Sequence, residues 1–289
     1  RINWDRTRQE ITKLGITPYP SGYQYIREGE ALGTFYGSRW ASNCSELPAG
    51  TPCGEFAVND DGLLVWVGAG NSWNQGLSND LWFSSTDITT TNDDGTERTV
   101  TYKWGMPIKA LGLDYKGDET TFLRMGLSVP DFNLGWSNTF RWNNLTLYTL
   151  LDAEVGADVY NQTRGYSYRD ESAADQDQFG KPEGNKKPRD YYQALYNVND
   201  NSSWFVEDGT FLKIREVSLR YTFDSDLVQG WFNGLLGLDG LSVNAIGRNL
   251  WTFTDYTGYD PEVGGITGRT DDFGYPNFRA FTFSVETIF

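Results

Sequence analysis

Phe278-Arg279-Ala280-Phe281-Thr282-Phe283-Ser284-Val285-Glu286-Thr287-Ile288-Phe289 is the stretch whose reading decides the fold. From Phe281 onward, Phe281, Phe283, Val285, Thr287 and Phe289 fall on one side of an extended chain, with Thr282, Ser284, Glu286 and Ile288 on the other, because side chains alternate across a strand. One face is aromatic and apolar, and the opposite face is mostly polar. A sandwich strand in water shows the same alternation, but free chain ends usually fray there. An aromatic residue at Phe289 therefore points to a strand held on both edges. A closed membrane barrel supplies that, with apolar side chains toward lipid and polar ones toward the lumen.

The same alternation recurs upstream. Phe132, Leu134, Trp136, Phe140 and Trp142 share one face of an extended segment, and Leu145, Leu147, Leu151, Ala153 and Val155 share one face of the next. Only Asn143 and Asn144 separate the two arms, residue types that accept the positive φ of a two-residue hairpin turn. Asp152 and Glu154 lie on the polar face of the second arm, where a wide lumen would keep them wet. Thr210 to Phe223 returns as a strand, with Val217, Leu219, Tyr221 and Phe223 against Glu216, Ser218, Arg220 and Thr222. Leu227, Val228, Trp231, Phe232, Leu235 and Leu236 then follow helical spacing behind the capping candidates Asp224, Ser225 and Asp226. Leu241 to Phe253 reads as a further strand, and Thr254 to Asn277 as the last long loop before the closing segment.

Between these strands the connections are unequal. Gly156 to about Gly209 is polar and offers no convincing strand, and it far exceeds the usual connection of about two to six residues. Short turns at one rim and long loops at the other is the asymmetry of outer-membrane barrels, whose turns are periplasmic and whose loops are extracellular. The expected fold is thus all-β, an antiparallel transmembrane β-barrel portion. Earlier in the chain, Arg1 to Leu14 reads as a weak strand or linker, Tyr23 to Tyr36 as extended segments broken at Gly29 and Gly33, Leu63 to Val67 as a strand, and Gly68 to Asn92 as a long loop. Asn-Asp-Asp-Gly occurs at Asn59 to Gly62 and again at Asn92 to Gly95, first of all as turn signals. Calcium ligation by Asp60, Asp61, Asp93 and Asp94 is the sharper alternative, without the ligand spacing of an EF-hand.

Composition bounds the function. Among 289 residues there are 11 Trp, 17 Tyr and 17 Phe, yet mean hydropathy is −0.53. That combination suits aromatic girdles around a polar lumen, or a carbohydrate-binding surface. A net charge of −15 argues against nucleic acid, which needs a basic face to neutralise phosphates. No apolar run approaches the roughly 18 residues of a membrane helix. No signal peptide is visible, and the opening at Arg1 rather than Met reads as a processed or partial chain. Cys44 and Cys53 flank a loop with Pro48, Gly50 and Pro52, and are expected to form a disulfide in an oxidising compartment.

The absence of histidine removes the commonest general base and metal ligand. Asp260 and Glu262 are the most tempting carboxylate pair for hydrolysis, although Asp-Pro is first a turn former. Ligand contact is the better expectation. Trp73, Trp82, Tyr191, Tyr192 and Trp204 lie in polar loops, where aromatic faces can stack on sugar rings or else pack the loops themselves. The sequons at Asn43, Asn144, Asn161 and Asn201 are chance patterns in an Asn-rich chain.

Several ordered stretches resemble the carboxyl-terminal part of SusC/RagA-type TonB-dependent transporters. They are Pro130-Asp131-Phe132 leading to Gly156-Ala157-Asp158-Val159-Tyr160-Asn161, the run from Phe205-Val206-Glu207-Asp208-Gly209-Thr210-Phe211 to Tyr221-Thr222-Phe223, Gly247-Arg248-Asn249-Leu250-Trp251-Thr252-Phe253-Thr254, Tyr256-Thr257-Gly258-Tyr259-Asp260-Pro261-Glu262-Val263, and Tyr275-Pro276-Asn277-Phe278-Arg279-Ala280-Phe281. Together they span Pro130 to Phe289.

The resemblance implies part of a large barrel in the bacterial outer membrane, long loops outside, that imports oligosaccharides or peptides and is not an enzyme. It implies a SusD-like lipoprotein as lid, TonB as energy source through an amino-terminal region missing from this chain, and Phe289 as the signal read by the barrel-assembly machinery. No plug domain or TonB box is seen, so residues 1–289 are expected to be a fragment of a longer transporter, or a barrel end put to another use. The competing expectation is a non-transporting extracellular binding or self-assembling surface β-protein.

Overall fold

The computed structural model describes residues 1–73, 81–92, 94–182, 186–232, 238–265 and 268–288. In chain order its strands are β1 (Ile2–Asp5), β2 (Tyr19–Ser21), β3 (Gln24–Ile26), β4 (Thr34–Ser38), β5 (Phe56–Val58), β6 (Leu64–Trp66), β7 (Ser85–Thr91), β8 (Glu97–Lys103), β9 (Gly112–Leu113), β10 (Glu119–Thr120), β11 (Phe122–Leu127), β12 (Phe132–Trp142), β13 (Leu145–Val155), β14 (Asp158–Asn161), β15 (Val206–Asp208), β16 (Phe211–Phe223), β17 (Gly240–Thr254), β18 (Thr270–Asp271) and β19 (Ala280–Ile288). Three helices, α1 (Gln162–Arg169), α2 (Arg189–Leu195) and α3 (Ser225–Phe232), lie among them.

The organising element is a six-stranded antiparallel sheet in the order β1-β12-β13-β16-β17-β19. Its register puts the apolar residues of successive strands on one face. Phe140 lies opposite Leu147, Leu147 opposite Leu219, Leu219 opposite Ala245 and Ala245 opposite Phe283. Ile2 and Trp4 extend the face alongside Trp136 and Leu134. Since a slip of one residue would turn every apolar side chain to the other face, this pattern fixes the register. Phe140 is 57% exposed, Trp142 66%, Trp251 55% and Phe283 81%. Among the described residues only α3 reaches this face, where Trp231 packs against Phe223 at 5.2 Å at the short-connection end. The other face is polar and cross-linked: Arg220 donates to Glu286 at 2.5 Å and to Ser242 at 2.9 Å, Arg248 pairs with Glu216 at 2.9 Å, and Ser218 donates to Asn244 at 3.0 Å.

At one end of the sheet lie the shorter connections, residues 143–144 and 224–239. Trp142 pairs with Leu145 across the expected two-residue turn, with Asn143 at φ 49°. The β16–β17 connection begins with α3 behind Asp224, whose carbonyl accepts from Val228 at 3.1 Å. Asn144 donates to the Asp224 side chain at 2.7 Å, tying the two turns together. Residues 6–131, 156–210 and 255–279 all leave from the opposite end. The fold is therefore mostly β with the expected asymmetry, but the sheets do not close into a barrel, since β1 and β19 each pair on one side only. Phe289 lies outside the described residues.

The long connections build a second body with its own core. Phe35, Trp40, Val65, Trp73, Trp82 and Trp104 of the first connection meet Tyr160, Tyr168, Tyr191, Leu195 and Phe205 of the second. Trp40 donates its indole N–H to Ser202 Oγ at 2.9 Å, and the Ser38 N–H donates to the Asn201 carbonyl at 2.8 Å. Gly37 permits that approach, because a Cβ there would overlap the Asn201 backbone. Cys44 and Cys53 are disulfide-bonded with Cα atoms 5.7 Å apart, beside the small cluster of Ala41, Leu47, Leu64 and Ala110.

Two stretches differ from the sequence expectation. The stretch 68–92 was expected to be all loop, but its end forms β7, which pairs with β8 around the second Asn-Asp-Asp-Gly turn. Its Ser/Thr-rich residues carry little apolar alternation, and Thr89–Thr99 and Thr101–Asp87 side-chain bonds replace it. In 156–209 the strands β14 and β15 pair with each other, and β14 also pairs in parallel with β18. They are too short to show a period, and their partners are remote in sequence.

Candidate functional site

Two places gather the polar and aromatic side chains singled out above. The first lies on the polar face of the sheet, near the long-connection end. Arg215 is the extra residue of a bulge against β13, and opposite it β17 carries its own bulge at Asn249 and Leu250, a device that re-aims a side chain. Its guanidinium grips Glu262 with two bonds of 2.8 and 2.7 Å and reaches Asp152 at 2.7 and 2.9 Å. Lys213, only 2% exposed, donates to Asp260 at 2.6 Å and to Glu262 at 2.9 Å. Asn277 donates through its backbone and side chain to Asp260. Arg269 of the same connection pairs with Glu154. Residues 255–279 are thus strapped to the polar face by charge.

Burial alone would raise the Asp260 carboxyl, but the hydrogen bond from Lys213 and the backbone N–H groups of Glu262 and Asn277 outweigh it and hold the pKa below the usual range. Glu262 behaves alike, its burial outweighed by Arg215 and Lys213. These two carboxylates are fully engaged in ion pairs. A hydrolytic pair needs one acid held protonated near neutral pH, and neither environment provides it.

The second place is a cavity of about 400 Å³ in the loop body, lined by Asp60 and Asp61 of the β5–β6 turn, Tyr168 of α1, Tyr192 of α2, and Trp204, with Asp175, Lys181 and Lys187 closing it. Lys187 donates to Asp60 and Asp61 at 2.6 Å each. Tyr191 OH donates to Asp61 at 2.5 Å, and burial with that bond raises its pKa. Trp204 gives its indole N–H to Tyr168 OH at 2.8 Å, and Tyr168 OH donates to Asp175 at 2.5 Å.

The five aromatic candidates fall into two groups. Trp73, Trp82 and Tyr191 are 7%, 9% and 0% exposed and pack with Trp104: Trp73 stacks on it at 5.4 Å, Trp82 meets it edge-on at 5.1 Å, and Tyr191 meets Trp82 at 6.1 Å. In this conformation those rings hold the loops together. Tyr192, itself 6% exposed and edge-on to Tyr191 at 5.3 Å, and the partly buried Trp204 lie beside the cavity. Of the calcium candidates, Asp60 and Asp61 are paired with Lys187, Asp94 accepts from Thr96, and Asp93 lies outside the described residues. Among the described residues no group of three or more acidic or cysteine side chains is arranged to hold a metal ion. Sequence reading missed Lys213 and Arg215. The available signal was the matching spacing of Lys213-Ile214-Arg215 and Asp260-Pro261-Glu262.

No known family pattern matches the chain. Over its whole length it is 26% identical to TonB-dependent receptor P3 of Formosa agariphila, and over 96% of its length 25% identical to TonB-dependent receptor P39 of the same organism. Its relatives are TonB-dependent receptors. The chain spans 26% and 27% of these two TonB-dependent receptors. Among solved structures it superposes on the RagAB peptide transporter with a TM-score of 0.57 at 20% identity, covering 99% of this chain and 26% of that one. The RagAB peptide importer in its open-open state gives 0.55 at 20% identity, covering all of this chain and 26% of that one. At that identity the likeness is one of fold. The recurrence of the fold fits the resemblance in the Pro130 to Phe289 motifs, and here it extends to the amino-terminal side as well.

Proposed function

We propose that this chain is the carboxyl-terminal part of a SusC/RagA-type outer-membrane barrel that takes up an oligosaccharide or a peptide. The observation that carries this reading is the continuous apolar face of β1, β12, β13, β16, β17 and β19, largely exposed away from α3 and backed by a polar face. β12 and β13 are 11 residues long, matching the roughly 9–11 residues of a tilted membrane strand. A contiguous apolar surface of this kind left in water would be an aggregation liability, whereas lipid covers it.

In this reading the short turns at Asn143 and α3 face the periplasm and the strapped loop body faces outside. On the same reading the chain contributes no hydrolytic chemistry at the Asp260 and Glu262 pair, since both carboxylates are ion-paired and the sequence has no histidine. A SusD-like lipoprotein would lid the loop side, TonB would act through a region not in this chain, and Phe289 would engage the barrel-assembly machinery. Membrane fractionation tests the placement. The parent protein should be recovered only with detergent from the outer membrane and migrate faster on gels unless boiled. Recovery in water without detergent would favour a non-transporting surface protein.

A further inference from the structure

We propose that the cavity where β1 runs out and β12 begins is a headgroup site for a membrane lipid that carries both a phosphate and a primary ammonium, a phosphoethanolamine. This rests on the membrane placement of the apolar face. The cavity is about 500 Å³, and Arg6, Arg8, Glu10 and Asp131 line it together with Leu127 and Val129. Its place in the fold is the margin of the apolar face. Trp4 and Leu134 lie opposite each other on that face, 62% and 37% exposed, and Arg6 and Phe132 come next on the same side toward the long connections. Guanidinium groups at such a margin reach lipid phosphates while their stems stay against apolar surface.

The charges in the cavity balance in number, yet they are not paired. Two guanidinium groups and two carboxylates line one space, and no ion pair or side-chain hydrogen bond joins any of the four to a partner among the described residues. Asp131 instead lies close enough to Asp158 for the two carboxylates to repel. In open water these groups would simply be hydrated, but at the margin of a bilayer the headgroup layer takes the place of that water. A purely anionic headgroup would meet Glu10 and Asp131 as like charges, and a purely cationic one would meet Arg6 and Arg8. A zwitterion whose phosphate and ammonium are joined by a short link satisfies both sets at once. A primary ammonium also donates N–H bonds to carboxylates, which a quaternary one cannot.

The lining is fixed by the protein itself. Ile11 donates its N–H to the Glu30 carbonyl at 2.8 Å and accepts from the Gly29 N–H at 3.0 Å, and Gln9 Nε2 donates to the Leu32 carbonyl at 3.0 Å. These bonds hold both neighbours of Glu10. On the other wall the Asp131 N–H donates to the Val155 carbonyl at 2.8 Å, and Gly156 leaves room for the Asp131 side chain, since a Cβ there would overlap its carboxylate. A lining held in advance lowers the ordering cost of binding.

Native mass spectrometry of the detergent-purified parent protein tests the assignment, with dioleoyl phosphatidylethanolamine, phosphatidylcholine and phosphatidylglycerol as probes. The ethanolamine lipid should be retained about fivefold more than the choline lipid, which has no N–H to donate, and than the glycerol lipid, which has no cation. A double variant Arg6→Ala with Arg8→Ala, and another with Glu10→Gln and Asp131→Asn, should each abolish that preference. Arg279→Ala, at an arginine beside Trp251 on the far edge of the same sheet, should keep it, and unchanged melting temperatures would show that the variants fold. Equal retention of the three lipids, a preference for phosphatidylglycerol, a preference that survives either double variant, or its loss in Arg279→Ala would overturn the site. Free O-phosphoethanolamine at the same concentration should leave the lipid bound, and displacement would overturn the lipid as occupant. Fractionation of the same preparation separates the two claims: recovery in the outer membrane without the lipid preference defeats only the headgroup site, whereas recovery in water defeats the membrane reading itself.

Discussion

Lys213 Nζ and Asp260 Oδ1 lie 2.6 Å apart, 47 residues distant in sequence, and the lysine is almost wholly buried. Removing one partner of a buried pair leaves an uncompensated charge and costs about 3–5 kcal/mol. Lys213→Met should therefore lower the melting temperature and expose residues 255–279 to protease, while β12 and β13 remain protected. Retained protease resistance in that connection would show that the strap is held by something else.

The same pairs set a pH dependence. The folded-state pKa values of Asp260 and Glu262 lie below their ordinary values of 3.8 and 4.5, so the native state binds fewer protons than the unfolded one. Their stabilisation is fully present above those ordinary values and is lost as pH falls through the depressed ones. Proteolysis of 255–279 with an acid-active protease should be flat from pH 7 to about 5 and rise below about 4. A rise between pH 7 and 5 would contradict the assignment.

Gly37 is a point of contact between the first and second long connections. A methyl group added there meets the Asn201 backbone, which cannot swing aside as a side chain can. Gly37→Ala should cost about 1–3 kcal/mol, as overpacking does, read as a lower melting temperature with the six-stranded sheet intact. No change in melting would mean that the two connections are not packed as described.

Charge placement separates the two faces of the sheet. Phe283→Arg puts a cation on the apolar face, where a bilayer would penalise it by about 2–4 kcal/mol near mid-depth. Ser284→Arg, one residue along, puts it on the polar face. The heat-modifiable fraction in outer membranes should fall for the first and stay near wild type for the second. Equal behaviour would mean that lipid does not distinguish the faces.

The long strands were legible because their apolar residues alternate over many positions and because Asn143-Asn144 marks the turn. The three connections were legible only as lengths. β14, β15 and β7 hold their shape through remote partners or threonine side-chain bonds, neither of which leaves a local period. The ionic strap was half visible: Asp152, Glu154, Asp260 and Glu262 stood out as awkward charges, but the bulge that aims Arg215 at two of them arises only when three strands are in register. Trp73, Trp82 and Tyr191 misled for a related reason. A ring in a polar stretch looks idle until the other connection supplies its core.

Leu147 and Thr146 are neighbours on β13 with opposite facing, and they test the membrane placement most directly. With Cys44 and Cys53 joined, a single introduced cysteine can be labelled cleanly. In outer membranes, a lipid-soluble quencher should reach a fluorophore on Leu147→Cys while a membrane-impermeant maleimide does not label it, and Thr146→Cys should show the reverse. Labelling of Leu147→Cys from water, with no quenching from lipid, would contradict the barrel.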